Sequence, residues 1–165
     1  MTGSTAEIIK TAHAKYHSYD ADWTKAYFDM QSGGYNVYHK DHSFSKKGGG
    51  GNAEKIVGIM LANAGKQVEF LSESLSKKVP DLRFDSQTWD IKFIEQANEE
   101  TIRKSIRDAR KADNAILYYT SSEKYLLLDN AIIREIGKFT KENRINELPN
   151  IYFIDHGNLK LFWKK

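Results

Sequence analysis

"VPDLRFDSQTWDIKF", residues 79–93, reads as two short strands joined by a turn near Asp85-Ser86. Side chains on a strand alternate between faces, so Trp89, Ile91 and Phe93 make one apolar face while Asp90 and Lys92 point the other way. Asp81 opens the first strand, and an antiparallel hairpin brings it back beside residues 90–92. Two carboxylates held about 4 Å apart repel by roughly 4 kcal/mol at an effective dielectric near 20. A fold keeps such a pair only if Lys92 or a divalent cation offsets the charge, or if the acids diverge. Asp85, in the turn, competes with Asp81 and Asp90 for any ligand role. On spacing alone, a solvated ion pair explains Asp90 and Lys92 as well as a metal site does.

Upstream, "AEKIVGIMLANA" (53–64) reads as a helix, with Asn52 as its N-cap and Gly65 as its stop. Glu54 lies in its first turn. Val57, Gly58 and Leu61 follow at spacings that put Glu54 on or beside the inward face. Helix-dipole compensation and a third acid aimed at the sheet are both consistent with that position. "KQVEFL" (66–71) reads as a strand, "NEETIRKSIRDARKAD" (98–113) as a helix with Ile102, Ile106 and Ala109 inward, and "NAILYYT" (114–120) as a buried strand. A long helix over 123–143 and a hairpin around His156-Gly157-Asn158 close the chain. The fold class is therefore α/β (α+β), a mixed central sheet flanked by helices. Residues 1–45, a helix plus a β-hairpin, form an N-terminal accessory segment ahead of a compact domain spanning 46–165, with the Gly-rich stretch "KKGGGG" at the junction.

The bulk composition narrows function little. The chain has 165 residues, 40% hydrophobic and 28% charged, with a net charge of +3, which suits one globular domain and is compatible with a nucleic-acid partner. It contains no Cys, so disulfide and thiolate metal sites are excluded. No apolar run reaches the roughly 18 residues of a membrane helix, and the N-terminus lacks a signal-peptide pattern. His39 and His42, with His13, His17 and His156 elsewhere, show neither an H-E-x-x-H helix nor a clear third ligand, and read as surface or core residues. Trp23, Tyr27, Tyr35 and Tyr38 read as core packing, with base stacking as the rival.

Taken together, a helical Glu, a strand, Pro-Asp, a turn, an Asp-x-Lys strand, a helix and a strand resemble the PD-(D/E)xK nuclease superfamily and its αβββαβ core. More narrowly, "NAEKIVGIMLANAGKQVEFL", "VPDLRFDSQTWDIKFI" and "TIRKSIRDARKADNAILYY" are similar to the C-terminal tRNA nuclease domain of CdiA-type contact-dependent growth-inhibition toxins, over about residues 52–163. The resemblance implies Glu54, Asp81, Asp90 and Lys92 as catalytic residues. Asp81, Asp90, Glu54 and the Ile91 carbonyl would hold a divalent metal, Mg²⁺ above Mn²⁺ or Zn²⁺. It also implies tRNA as substrate, a cognate immunity protein as partner, and action in the cytoplasm of a target bacterium after delivery within a larger secreted or surface protein. Basic side chains available for phosphates are Lys46, Lys47, Arg103, Lys104, Arg107 and Arg110, of which the three arginines form one helical stripe. A DNA endonuclease of the same fold, or a non-catalytic interaction module, remains the alternative.

Overall fold

The computed structural model describes residues 4–44, 50–73, 79–95, 98–119 and 125–165. Helix α1 (Thr5–Ser18) is followed by strands β1 (Trp23–Phe28) and β2 (Tyr35–His39). Helix α2 (Gly50–Asn63) leads into β3 (Gln67–Phe70), β4 (Leu82–Phe84) and β5 (Gln87–Phe93). Helix α3 (Glu99–Asp108) tightens into a 3-10 turn at Ala109–Lys111 before β6 (Asn114–Tyr118). Helix α4 (Tyr125–Lys141), β7 (Asn150–Asp155) and β8 (Asn158–Trp163) complete the chain.

All eight strands join one sheet in chain order, mixed in direction: β2–β3, β5–β6 and β6–β7 are parallel and the remaining pairs antiparallel. The α/β expectation thus holds, and the segment read as accessory contributes β1 and β2 to the same sheet. Each face buries its own core. Val57 and Leu61 of α2 cover Val68, Phe70, Leu82, Phe84, Trp89 and Ile91. On the other face, Ile102 and Ile106 of α3 and Ile132 and Phe139 of α4 cover Leu117 and Ile151. Tyr16 of α1 packs with Tyr35 and Val37. Tyr35 is fully buried and Tyr38 packs edge-on against Phe70, so these aromatics serve the core. Among the described residues no helix is long and apolar enough to cross a membrane.

Two glycines govern how α2 sits. Gly65, at φ +86, supplies the left-handed residue that ends the helix, as its sequence position suggests. Gly58 faces the sheet, and a Cβ there would come within 3.0 Å of Asn36 Nδ2 and the Phe70 ring. Its missing side chain lets α2, and with it Glu54, lie close to the strands. The start of α2 differs from the sequence reading. Asn52 is not the N-cap, because the helix begins at Gly50 and places exposed Asn52 inside the first turn while Gly51 is buried. Burial has overridden the poor helix propensity of glycine.

The β4–β5 hairpin turns where the sequence places it. Phe84 faces Gln87, and both turn residues have positive φ, 52° at Asp85 and 59° at Ser86, as a two-residue type I′ turn requires. A non-glycine residue in this region costs roughly 1–2 kcal/mol, partly offset by the extra chain entropy a glycine would lose on folding. Ser86→Gly is expected to raise the melting midpoint by about 1–3 °C in calorimetry. An unchanged or lower midpoint would show that the turn is not strained.

Candidate active site

Pro80 has no N–H, and the β4–β5 ladder spans only Leu82–Phe84 against Gln87–Trp89. Beyond Trp89, β5 continues beside β6 while its other side faces Asp81. The Asp81 carboxylate fills the gap, accepting the Ile91 N–H at 2.8 Å. In return the Asp81 N–H donates to Asp90 Oδ1 at 3.2 Å. The two acids that the sequence reading brings together are thus tied to each other, Asp90 through the Asp81 N–H and Asp81 through the N–H of Ile91, the residue after Asp90.

Lys92 and Lys111 flank this pair. Asp90 is fully buried, with Lys92 Nζ 3.4 Å from Oδ2 and Lys111 Nζ 3.5 Å from Oδ1. Lys111 is not among the site residues read from the sequence. The 3-10 tightening after Asp108 is what sets it beside β5. Glu54 reaches the same region from α2, close enough that its charge acts on Asp81. Asp81 is pushed up to about 7, first by burial, then by the carboxylates of Asp90 and Glu54, against the opposing pull of the Ile91 N–H and Lys111.

His42 is a further component. Its side chain is fully buried against Phe44 and Phe70, and its Nδ1 lies 2.8 Å from the Leu71 carbonyl. A carbonyl only accepts, so Nδ1 carries the proton and Nε2 faces Glu54 Oε2 at 3.9 Å. Glu73 lies 3.7 Å from Nδ1. Burial alone would lower the His42 pKa, but the Glu54 carboxylate, the Leu71 carbonyl and Glu73 outweigh it and raise it. A lone histidine in "HKDH" gives no sign of this placement, which depends on the separately folded α2 and β3.

Three atoms at the site are buried and lack a hydrogen-bond partner among the described residues: Asp90 Oδ2, Glu54 Oε2 and His42 Nε2. Buried carboxylate oxygens without a hydrogen bond are costly unless a cation meets them. Lys92 stands 3.4 Å from Asp90 Oδ2 and His42 Nε2 3.9 Å from Glu54 Oε2, and a metal ion would add to both. Among the described residues no three histidine and acidic side chains form a ready metal cage. The donor set instead suits a hard ion that takes one or two carboxylates and keeps its waters, and a Mg²⁺-like ion fits better than tetrahedral Zn²⁺. Ile91 shows its N–H bonded to Asp81, beside which its carbonyl is the expected extra ligand.

The other candidates lie elsewhere. Asp85 is removed from competition by Lys66, which binds it at 2.5 Å. Arg103 and Arg107 turn toward α4: Arg103 Nε lies 2.7 Å and Arg107 Nε 3.8 Å from fully buried Glu135, and Arg107 also binds Glu100 at 2.8 Å. Arg110 stacks over Phe139. These ion pairs spend the arginine stripe on joining α3 to α4, a use that Glu135, 32 residues away, makes invisible to helix spacing. Lys104 is exposed, and Lys46 and Lys47 lie outside the described residues.

No protein-family model and no curated protein matches this chain. Among solved structures, it is similar to one titled "CdiA-CT/CdiI toxin and immunity complex from Burkholderia pseudomallei", at 23% identity and a TM-score of 0.49, over 69% of this chain and 84% of that one. A likeness at that level carries no weight for function, which rests on the side chains above.

The raised Asp81 pKa has a signed consequence. As pH rises from about 4 toward 7 the unfolded chain gives up this proton before the folded one, so metal-free stability falls across that window. Asp81→Asn removes the charge while keeping an acceptor for the Ile91 N–H. Without metal it is expected to stabilise the fold by on the order of 1–2 kcal/mol at pH 8 and by much less at pH 5. Denaturant titrations at the two pH values check this, and equal effects at both would refute the buried-charge reading.

Proposed function

We propose that this chain is a divalent-metal-dependent phosphodiester hydrolase acting on RNA, with tRNA its substrate and inhibition of bacterial growth its outcome. The observation that carries the chemistry is the convergence of Asp81, Asp90 and Glu54, two of them with orphaned buried oxygens, beside Lys92 and Lys111. The choice of RNA, and the toxin role with it, leans on the sequence resemblance. Asp81 and Asp90, with Glu54 directly or through water and the Ile91 carbonyl, would hold Mg²⁺, and Mn²⁺ in its place. When bound, such an ion lowers the pKa of a water and offsets charge that builds on the phosphate in the transition state.

The chain's own groups have separate tasks. Lys92 orients the attacking water and adds positive charge beside the scissile phosphate. Lys111 holds Asp90 from the opposite side and keeps its oxygens directed at the gap. His42, fixed by the Leu71 carbonyl, faces Glu54 and restricts where its carboxylate can swing. With Arg103 and Arg107 tied to Glu135, longer-range phosphate contacts fall to Lys104 and to Lys46 and Lys47, which precede Glu54 by eight and seven residues. A cognate immunity protein would be acidic and pair with the lysines used for phosphate, since complementary charge speeds docking and excludes wrong partners. The site of action would be the cytoplasm of the target cell.

Purified protein is expected to fragment total tRNA in Mg²⁺ and to lose that activity in EDTA. Asp90→Asn and Lys92→Ala should each slow cleavage at least about 100-fold while far-UV circular dichroism stays unchanged. Undiminished tRNA cleavage in EDTA would end the proposal. Cleavage of duplex DNA with tRNA left intact would move the same chemistry to the other substrate.

A further inference from the structure

Helix α1 carries two histidines one turn apart, His13 and His17, on its exposed side. Their far ring nitrogens converge, with Nε2 to Nε2 at 3.0 Å and ring centroids 4.3 Å apart. We propose that His13 and His17 form a two-point site for a borderline divalent transition ion, Cu²⁺ or Ni²⁺ ahead of Zn²⁺, separate from the carboxylate pocket.

The geometry favours an ion of that class. Two imidazole nitrogens, each about 2.05 Å from one ion and roughly 90–100° apart, stand about 2.9–3.1 Å from each other, whereas a tetrahedral angle spreads them to about 3.3 Å. The observed 3.0 Å places the two nitrogens within reach of adjacent positions on one tetragonal Cu²⁺ or Ni²⁺ ion. Imidazole is also the donor these ions prefer over Mg²⁺, whose preference is for oxygen.

Each exposed ring has an aromatic neighbour: His13 stands edge-on to Phe28 of β1, with centroids 5.1 Å apart at 88°, and His17 lies against Tyr16 at 5.2 Å. When one ring carries its proton on Nε2, the same 3.0 Å is a single N–H···N hydrogen bond. Moving that proton to Nδ1 gives each Nε2 a free lone pair, and a rotation of the two exposed rings turns both toward one ion. Among the described residues no third histidine or acidic ligand completes a set, so the other coordination positions open to water or to a ligand brought by another molecule. That makes the site a surface docking point for metal, not a closed structural centre.

Calorimetric titration of the full chain with Ni²⁺ tests the site, with circular dichroism as the control for folding. In the Asp90→Asn chain, which lacks the carboxylate seat, one Ni²⁺ should bind per chain, millimolar Mg²⁺ should leave it unchanged, and adding His13→Asn or His17→Asn should weaken it at least tenfold. No Ni²⁺ binding by the Asp90→Asn chain, or equal binding once His17→Asn is added, would overturn the proposal. Because the readout involves neither RNA nor the carboxylates, its failure would leave the hydrolase reading untouched.

Discussion

The hydrogen bond from the Ile91 N–H to the Asp81 carboxylate is the contact on which the site depends. It exists because β4 begins only at Leu82, so no β4 carbonyl in the ladder meets the Ile91 N–H. A backbone donor on β5 is then satisfied by a side chain where a neighbouring strand would ordinarily serve. That substitution draws a carboxylate into the sheet beside a second, fully buried one. The carboxylate repulsion and the raised Asp81 pKa follow from it, as does the need for Lys92 and Lys111 at 3.4 and 3.5 Å from Asp90.

The break in the ladder also explains how elements from both faces of the sheet reach one site. Helix α2 covers one face and α3 the other, so their side chains would normally be separated by the strands. Beside β5 residues 90–93 there is no β4 partner in the ladder. Glu54 acts on Asp81 from the α2 side and Lys111 meets Asp90 from the α3 side. Gly58 is part of the same arrangement, since its missing Cβ sets how near α2 can come.

What the sequence made legible was local. Alternating Trp89, Ile91 and Phe93 placed the second strand, and Asp85-Ser86 placed the turn, because period-two patterning and turn chemistry act within a few residues. The Asp81–Asp90 pairing was legible for the same reason, being one hairpin wide. Contacts made by separate elements were not. His42 beside Glu54, Lys111 beside Asp90 and Glu135 between Arg103 and Arg107 each join segments whose distance apart is set by tertiary packing. The arginine stripe is the instructive case. Arg103 and Arg107 lie on α3 beside buried Ile102 and Ile106, but Arg110 falls in the 3-10 turn after the helix, and a buried carboxylate on α4 determined what the first two bind.

The account stands on the buried carboxylates forming a seat for a hard divalent ion. Titration calorimetry with Mn²⁺ at pH 8 measures this most directly. One ion should bind per chain with release of heat or protons, at least tenfold more weakly in Asp90→Asn, and Mg²⁺ should displace it. Absence of binding, or binding that Asp90→Asn leaves intact, would contradict the account.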